Sequence, residues 1–357
     1  IMRAVIFYYA TEQNETFFIN FFLNIFFILP NWALKVITLR KEITYKNEVF
    51  DYQSMIYISL ISWFITKFGF ALDMSKFSDE MRKKMANLRI KINNNIAPKK
   101  IIQKEDLIIE QKNNLVLRQY SLDSQISDKC VLFFHGGGYA ISDIDVYDPV
   151  VSFMCEELNT KIFSLEYSLS PENKFPKALK EANIAFEWLR SHGYNKEKII
   201  ICGDSAGGHL AASLLHDRSS KDKELPYLQV LIYPMVSPSL DFPSLERLGE
   251  NFLLTKEQMK WFWHYFRAEE ANNLDSRFDL LKIDNNNKFD TKTVIITAGF
   301  DPLCDEAEAY AAKLNDAGFD LKQLHYPSLF HGFISISLLR TARRAMEDMI
   351  DILKNEL

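Results

Sequence analysis

The chain has 357 residues, 48% of them hydrophobic and 25% charged, and its 47 acidic against 42 basic side chains leave a formal charge of −5. That composition is that of a globular protein with a sizeable core, which excludes a disordered, collagenous or small disulfide-stapled chain, and the negative balance offers a nucleic-acid backbone no attraction. The length accommodates two domains or one α/β domain with an accessory cap.

Residues 17–29 read FFINFFLNIFFIL and are closed by Pro30. The run is shorter than the roughly 20 apolar residues of a spanning helix, and with Arg3 the one cation upstream and no small-residue cleavage site after it, it does not fit a secretory signal. It is expected to stay in the mature protein. The stretch from Met55, MIYISLISWFITKFGFAL, is broken by Ser59, Ser62, Thr66 and Lys67, which suits a helix packed on protein. Between Met81 and Lys104 stand Arg82, Lys83, Lys84, Arg89, Lys91, Lys99, Lys100 and Lys104, with no acidic residue. The plain reading is a solvated helix face. With the phenylalanine-rich start, the run is also a candidate for peripheral contact with an anionic membrane, because apolar insertion and basic attraction add. NNNIAPKK around Pro98 reads as a connection, dividing the chain into an N-terminal helical region over 1–104 and a main domain over 105–357.

From residue 105, apolar strand-like runs alternate with helical segments: DLIIEQ, LVLRQY, CVLFFH, KIFSLEY, KIIICG, LQVLIY and TVIITAG. Continuous apolar runs separated by amphipathic helices predict an α/β fold with a mostly parallel central sheet flanked by helices. The alternation breaks from about 236 to 288, which reads as an insertion. The four cysteines, at 130, 155, 202 and 304, have no zinc-like or disulfide-framework spacing and are expected to be reduced, with no metal implied. A cytoplasmic location follows as an expectation, with membrane association as its alternative.

Glycine is scarce, 12 in all, and half of it lies in HGGGYA and GDSAGG. At that frequency G-x-S-x-G arises by chance about 0.03 times. In Gly203, Asp204, Ser205, Ala206, Gly207 the serine is placed on a strained strand-to-helix turn, with an apolar strand before it and an alanine-rich helix after it. A serine hydroxyl needs a base within hydrogen-bond reach and an acid to orient that base. Of the histidines downstream, His325 lies in the alternating run FDLKQLHY, fixed in a strand, whereas His331 falls in the loop SLFHGF beside Gly332; the base is assigned to His331. Asp301 follows TVIITAGF and precedes Pro302, which keeps it in a strand-end loop, so it is the expected acid. Asp305 and Glu306, at the start of the next helix, are the alternatives. The glycine run after CVLFF suits an oxyanion hole made by the N–H groups of Gly137, Gly138 and Ala206. A phosphate loop fits it poorly, for want of a following Lys-Ser/Thr or a second spaced glycine. Tyr139, next to the run, is expected to border the substrate.

These segments, with EYSLSPENKFPKALKEA, AGFDPLCDEAEAYAAKL and HGF in order over residues 105–357, resemble the hormone-sensitive-lipase-like branch of the α/β-hydrolases, a family of carboxylesterases and deacetylases. The resemblance implies an α/β-hydrolase fold with a helical cap, built from the N-terminal helices and the 236–288 insertion, whose aromatics Trp261, Phe262, Trp263, Tyr265 and Phe266 cover an acyl pocket. It carries the triad onto Ser205, Asp301 and His331 and the oxyanion hole onto Gly137, Gly138 and Ala206, and gives Tyr167 and Glu172 supporting roles. Two positions depart: Ser168 replaces the branch's usual arginine, and His209 its usual asparagine. The implied activity is that of a serine carboxylesterase on a small-molecule ester with a short to medium acyl chain or a lipophilic alcohol, without a cofactor. Deacetylase, amidase and acyltransferase chemistry use the same residues. A non-catalytic receptor of this branch would lack the base that His331 supplies. A homodimer stays open.

Overall fold

In the computed structural model, residues 28–38, 41–67, 77–93, 98–124, 127–283 and 290–357 are described. The apolar run at 17–29 lies almost wholly outside them. In chain order the elements are α1 (Asn31–Thr38), the two-residue strands β1 (Thr44–Tyr45) and β2 (Glu48–Val49), α2 (Tyr52–Lys67), α3 (Asp79–Asn93), β3 (Gln103–Glu110), β4 (Leu115–Ser121), β5 (Cys130–Phe134), α4 (Ile144–Leu158), β6 (Lys161–Leu165) and α5 (Lys177–Ser191). There follow β7 (Ile199–Asp204), α6 (Ala206–Ser219), β8 (Leu228–Ile232), α7 (Pro243–Leu248), α8 (Lys256–Phe266), β9 (Lys292–Phe300), α9 (Cys304–Asp316), β10 (Leu321–Phe330) and α10 (Arg340–Lys354).

Eight strands form one sheet in the order β10-β9-β8-β7-β5-β6-β4-β3. The pairings among β5 to β10 are parallel, and β4 joins antiparallel to β6 and to β3. Alternate strand residues feed opposite faces. Val131, Phe133, Ile200, Cys202, Val230 and Ile232 pack with α4 and α10 on one side, and Cys130, Leu132, Phe134, Ile199 and Ile201 with α5, α6 and α8 on the other. All four cysteines are buried free thiols.

The sheet has its switch point at β5, flanked by β6 on one side and β7 on the other, so the crevice at the carboxyl ends opens beside these strands. Phe134 is paired with Gly203, which sets the start of the glycine run beside Asp204 and Ser205. Phe300 is paired with Phe330, so Asp301 and His331 leave the sheet side by side. Register alone brings four sequence motifs to one edge.

The N-terminal elements pack into this body. Met55, Ile56, Tyr57 and Ile58 of α2 share the apolar cluster of α10 and the sheet, and Phe50 packs on Phe252, Phe300 and Phe330. The basic run is not the uniformly solvated face expected of it. Arg82 and Arg89 of α3 turn inward onto the loops that follow β5 and β6, where the carbonyls of buried Ala140 and Ser170 need donors, and Lys104 pairs with Asp148. Lys83 and Lys84 are exposed, as a solvated face requires. Among the described residues no helix is long and apolar enough to cross a membrane.

Candidate active site

At the end of β7 the backbone turns sharply into α6, and Ser205 sits on the turn with φ 54° and ψ −118°, a conformation that a side-chain-bearing residue holds only when its surroundings impose it. The surroundings are tight. A Cβ at Gly203 would lie 2.3 Å from the Gly207 carbonyl oxygen, and one at Gly207 would lie 2.0 Å from the carbonyl oxygen of Phe134. The serine backbone is pinned by Ser205 N donating to Ile232 O (2.9 Å) and Met235 N donating to Ser205 O (3.1 Å).

The structure brings Ser205, His331 and Asp301 together. His331 Nδ1 lies 2.8 Å from Asp301 Oδ2, and His331 Nε2 lies 2.9 Å from Ser205 Oγ. A carboxylate only accepts, so Nδ1 carries the proton and Nε2 is left to accept from the serine hydroxyl. The second carboxylate oxygen of Asp301 accepts from Leu303 N at 2.8 Å, which fixes its plane. Asp301 is fully buried, and the ring of Tyr233 packs 4.7 Å from that of His331. The alternative acids lie elsewhere. Asp305 accepts from Ser244 N and Lys46, and Glu306 accepts from Val236 N, with burial pushing its carboxyl well above the usual range. His325 is held in β10 between Thr297 Oγ1 (2.8 Å) and Glu48 Oε1 (2.7 Å).

The glycine run forms a tight turn in which Gly137 and Gly138 have φ of 121° and 60° and Gly137 O accepts from Ala140 N and Ile141 N. Glycine is required at both places, since left-handed φ strains any other residue and a Cβ on Gly137 would meet Ile141 O at 1.6 Å. Among the described residues the amides of Gly137, Gly138 and Ala206 have no hydrogen-bond partner, while that of Gly136 is taken by Asp204 Oδ1 at 2.8 Å. Phe262 of α8 lies directly on Gly138, where an added Cβ would come within 2.3 Å of its ring.

Tyr139 departs from its expected place at the substrate. Its ring is 1% exposed and stacked 3.7 Å from Phe266, and its hydroxyl lies 2.6 Å from His209 Nδ1, so it is packing beneath α8. The substitution His209 explains this: its Nε2–H donates to Phe278 O (2.9 Å), which leaves Nδ1 to accept the tyrosine proton. Ser168 meets Glu181 through both its backbone N (2.7 Å) and its hydroxyl (2.6 Å). Of the supporting pair, Tyr167 stacks on His135 and donates to His135 O at 2.6 Å, and Glu172 accepts from Arg82 at 2.8 Å. The aromatics of α8 divide, with Phe262, Trp263 and Phe266 buried and Trp261 and Tyr265 partly exposed.

Sequence reasoning passed over Asp204. Its carboxylate accepts from Gly136 N (2.8 Å), Tyr147 OH (2.8 Å) and Tyr233 OH (3.3 Å), tying the glycine turn to the serine turn and to the strand end under His331. Burial raises its pKa, against the hydrogen bond from Tyr147 and the charge of Arg89. The signal was a carboxylate inside the second glycine motif, next to the serine, with no basic residue in that motif to pair with it. For a metal, Cys304, Glu308 and His325 place one ligand atom each within 4.8 Å of one another. Those atoms are already occupied, since Cys304 donates to Glu308 and both His325 nitrogens have partners, so the cluster holds together without an ion.

A mostly parallel sheet of this order, with a serine on the strand-to-helix turn facing a histidine and an aspartate from later strand ends, is the architecture of an α/β-hydrolase. The chain belongs to that family: the model of the alpha/beta hydrolase fold matches residues 131–335, and the match places it in the hormone-sensitive-lipase-like branch. It is 33% identical over 216 residues to the carboxylic ester hydrolase LipN of Mycobacterium tuberculosis, which covers 58% of this chain and 57% of that protein. It is 29% identical over 244 residues to the ethyl acetate hydrolase of Pseudomonas putida, 66% of this chain and 76% of the other. The chain thus spans a little over half the length of the first relative. The solved structure of the Francisella virulence factor BioJ superposes with a TM-score of 0.71 at 30% identity, covering 81% of this chain and 94% of that one.

Proposed function

We propose that the protein is a serine carboxylesterase working through an acyl-enzyme, with Ser205 as nucleophile, His331 as base, Asp301 as the acid that orients it, and the amides of Gly137, Gly138 and Ala206 as the oxyanion hole. The observation that carries this is the continuous line from Ser205 Oγ to His331 Nε2 (2.9 Å) and from His331 Nδ1 to Asp301 Oδ2 (2.8 Å), beside the amides of Gly137, Gly138 and Ala206, which have no hydrogen-bond partner among the described residues. His331 takes the serine proton as Oγ attacks the ester carbonyl; the oxyanion meets the amides; His331 then gives its proton to the departing alcohol. Water, activated by the same imidazole, attacks the acyl-enzyme and frees the acid. The names of the relatives, carboxylic ester hydrolase and ethyl acetate hydrolase, support this chemistry. Phe262 on Gly138 supports an uncharged, short to medium acyl group. The N-terminal segment and the 236–288 insertion form the cap in this reading, consistent with Phe77 packing edge-on against Trp261 at 4.7 Å.

The test is release of p-nitrophenol from acyl esters of graded chain length. Ser205→Ala should lower the rate by at least about 10⁴-fold with the fold intact. Unchanged turnover in that variant ends the proposal.

A second reading concerns peripheral membrane contact. On α1, Trp32 and Val36 are 73% and 66% exposed one turn apart, with exposed Lys35 between them. Co-sedimentation with anionic liposomes should fall in Trp32→Ser/Val36→Ser. Equal binding by parent and variant removes this reading, and an earlier elution of the parent alone assigns the face to pairing between copies.

A further inference from the structure

The N-terminal region drew no functional residue from sequence resemblance, yet α3 delivers two arginines to the back of the oxyanion turn. Arg82 and Arg89 are seven residues apart, two helical turns, and so lie on one side of α3. Arg82 Nε donates to Ala140 O (2.8 Å), and its Nη2 donates to Ser170 O (3.0 Å) and to Glu172 Oε2 (2.8 Å), while Nη1 pairs with Asp79 (2.6 Å). The side chain is 18% exposed, with its guanidinium 5.2 Å from the Phe77 ring. Arg89 donates to Ser142 Oγ and lies 5.5 Å from the ring of Tyr147, the residue whose hydroxyl holds Asp204.

These contacts converge on one small piece of backbone. Ala140 comes two residues after Gly138, inside the turn closed by Ala140 N and Ile141 N on Gly137 O, and Ser142 is the first residue beyond it. The front of that turn presents the free amides, and its back presents the Ala140 carbonyl and the Ser142 hydroxyl to the arginines. Ser170 N also donates to Tyr139 O at 2.7 Å, so Arg82 clamps two loops already joined to each other. The second loop also carries Ser168, whose backbone N and hydroxyl are taken by Glu181. A planar fork reaching two carbonyls and a carboxylate cannot be replaced by the single point of a lysine ammonium. Burial raises the pKa of Asp204 and lowers that of His135, and the nearby charge of Arg89 opposes the first shift and adds to the second.

We propose that Arg82 and Arg89 are positioning residues that strap the oxyanion turn from behind, making α3 a working part of the active site. This rests on the esterase reading above. The turn has few hydrogen bonds of its own, and a rate-determining amide displaced by even an ångström loses most of its effect on a developing oxyanion.

The experiment compares the full-length parent with Arg82→Lys, Arg82→Met and Arg89→Met. Active serine is first counted by titration with a p-nitrophenyl phosphonate, so that misfolded protein drops out of the rate. Per titrated site, kcat should fall about 10- to 100-fold in both methionine variants with KM within threefold, and Arg82→Lys should recover less than half of the loss. Affinity for a trifluoromethyl ketone, which mimics the tetrahedral intermediate, should fall by the same factor as kcat/KM. Amide hydrogen exchange over residues 137–142 should speed up in the methionine variants. Unchanged kcat per titrated site with a lower melting temperature assigns the arginines to folding alone and overturns the proposal. A parent that hydrolyses no ester overturns the esterase reading instead, and exchange at the turn still decides the strap.

Discussion

Replacing Asp204 by alanine tests whether the glycine turn is held from the serine strand. The substitution removes the acceptor of three buried donors, Gly136 N, Tyr147 OH and Tyr233 OH. The hydroxyls can rotate toward other acceptors, but the amide cannot. An orphaned buried amide costs about 1–3 kcal/mol, and two displaced hydroxyls add about 1 kcal/mol each, giving about 3–5 kcal/mol in all. That leaves most domains folded at room temperature, where total stability is about 5–15 kcal/mol. The larger effect is on rate. With Gly136 released, the amides of Gly137 and Gly138 are misaimed rather than removed, a combined loss set at that of one missing oxyanion donor, about 10²- to 10³-fold. Ester hydrolysis by Asp204→Ala should therefore show kcat lowered about 10²- to 10³-fold with KM nearly unchanged, the signature of an interaction made in the transition state. Asp204→Asn keeps an oxygen for Gly136 N and should lose no more than about tenfold. Urea unfolding monitors the fold in parallel. A folded Asp204→Ala enzyme within threefold of the parent kcat, or an asparagine variant as damaged as the alanine one, refutes the reasoning.

Acid sensitivity follows from three histidines. Burial pulls His135, His209 and His216 down to about 4, below the unfolded value near 6.5. The unfolded chain then binds more protons between pH 6.5 and 4, so stability falls as pH drops through that window, by about 2 kcal/mol per histidine at pH 5. The urea midpoint should drop sharply from pH 7 to 5, and His209→Gln should remove about a third of the drop; equal midpoints at the two pH values would contradict this. Gly138 and Phe262 should behave as a coupled pair. In Gly138→Ala the new methyl meets the Phe262 ring and adopts a left-handed φ, so kcat/KM should fall, and adding Phe262→Ala should return part of it. Losses that simply add would show that α8 does not rest on the turn.

What was legible in the sequence was local. G-x-S-x-G and HGGG declare themselves because their backbone requirements, positive φ and no Cβ, restrict residue type at the positions themselves. The alternation of apolar runs and amphipathic helices gave the sheet, and the position of Asp301 and His331 after apolar runs placed them at its carboxyl edge. Tyr139 was misplaced for the converse reason: adjacency to a glycine run says nothing of which way a ring points once φ is 60°.

The sequence by itself determined the layered fold, the serine turn and the residues able to supply nucleophile, base and acid, since each is written in a short window of spacing and residue type. Tertiary structure decided the rest: that Asp204 fastens two motifs 68 residues apart, that His209 turns Tyr139 into packing, and that α3 lays two guanidinium groups against the glycine turn. These are pairings between distant segments, satisfied because buried donors and acceptors must find partners, and no local pattern states which partner the fold will bring.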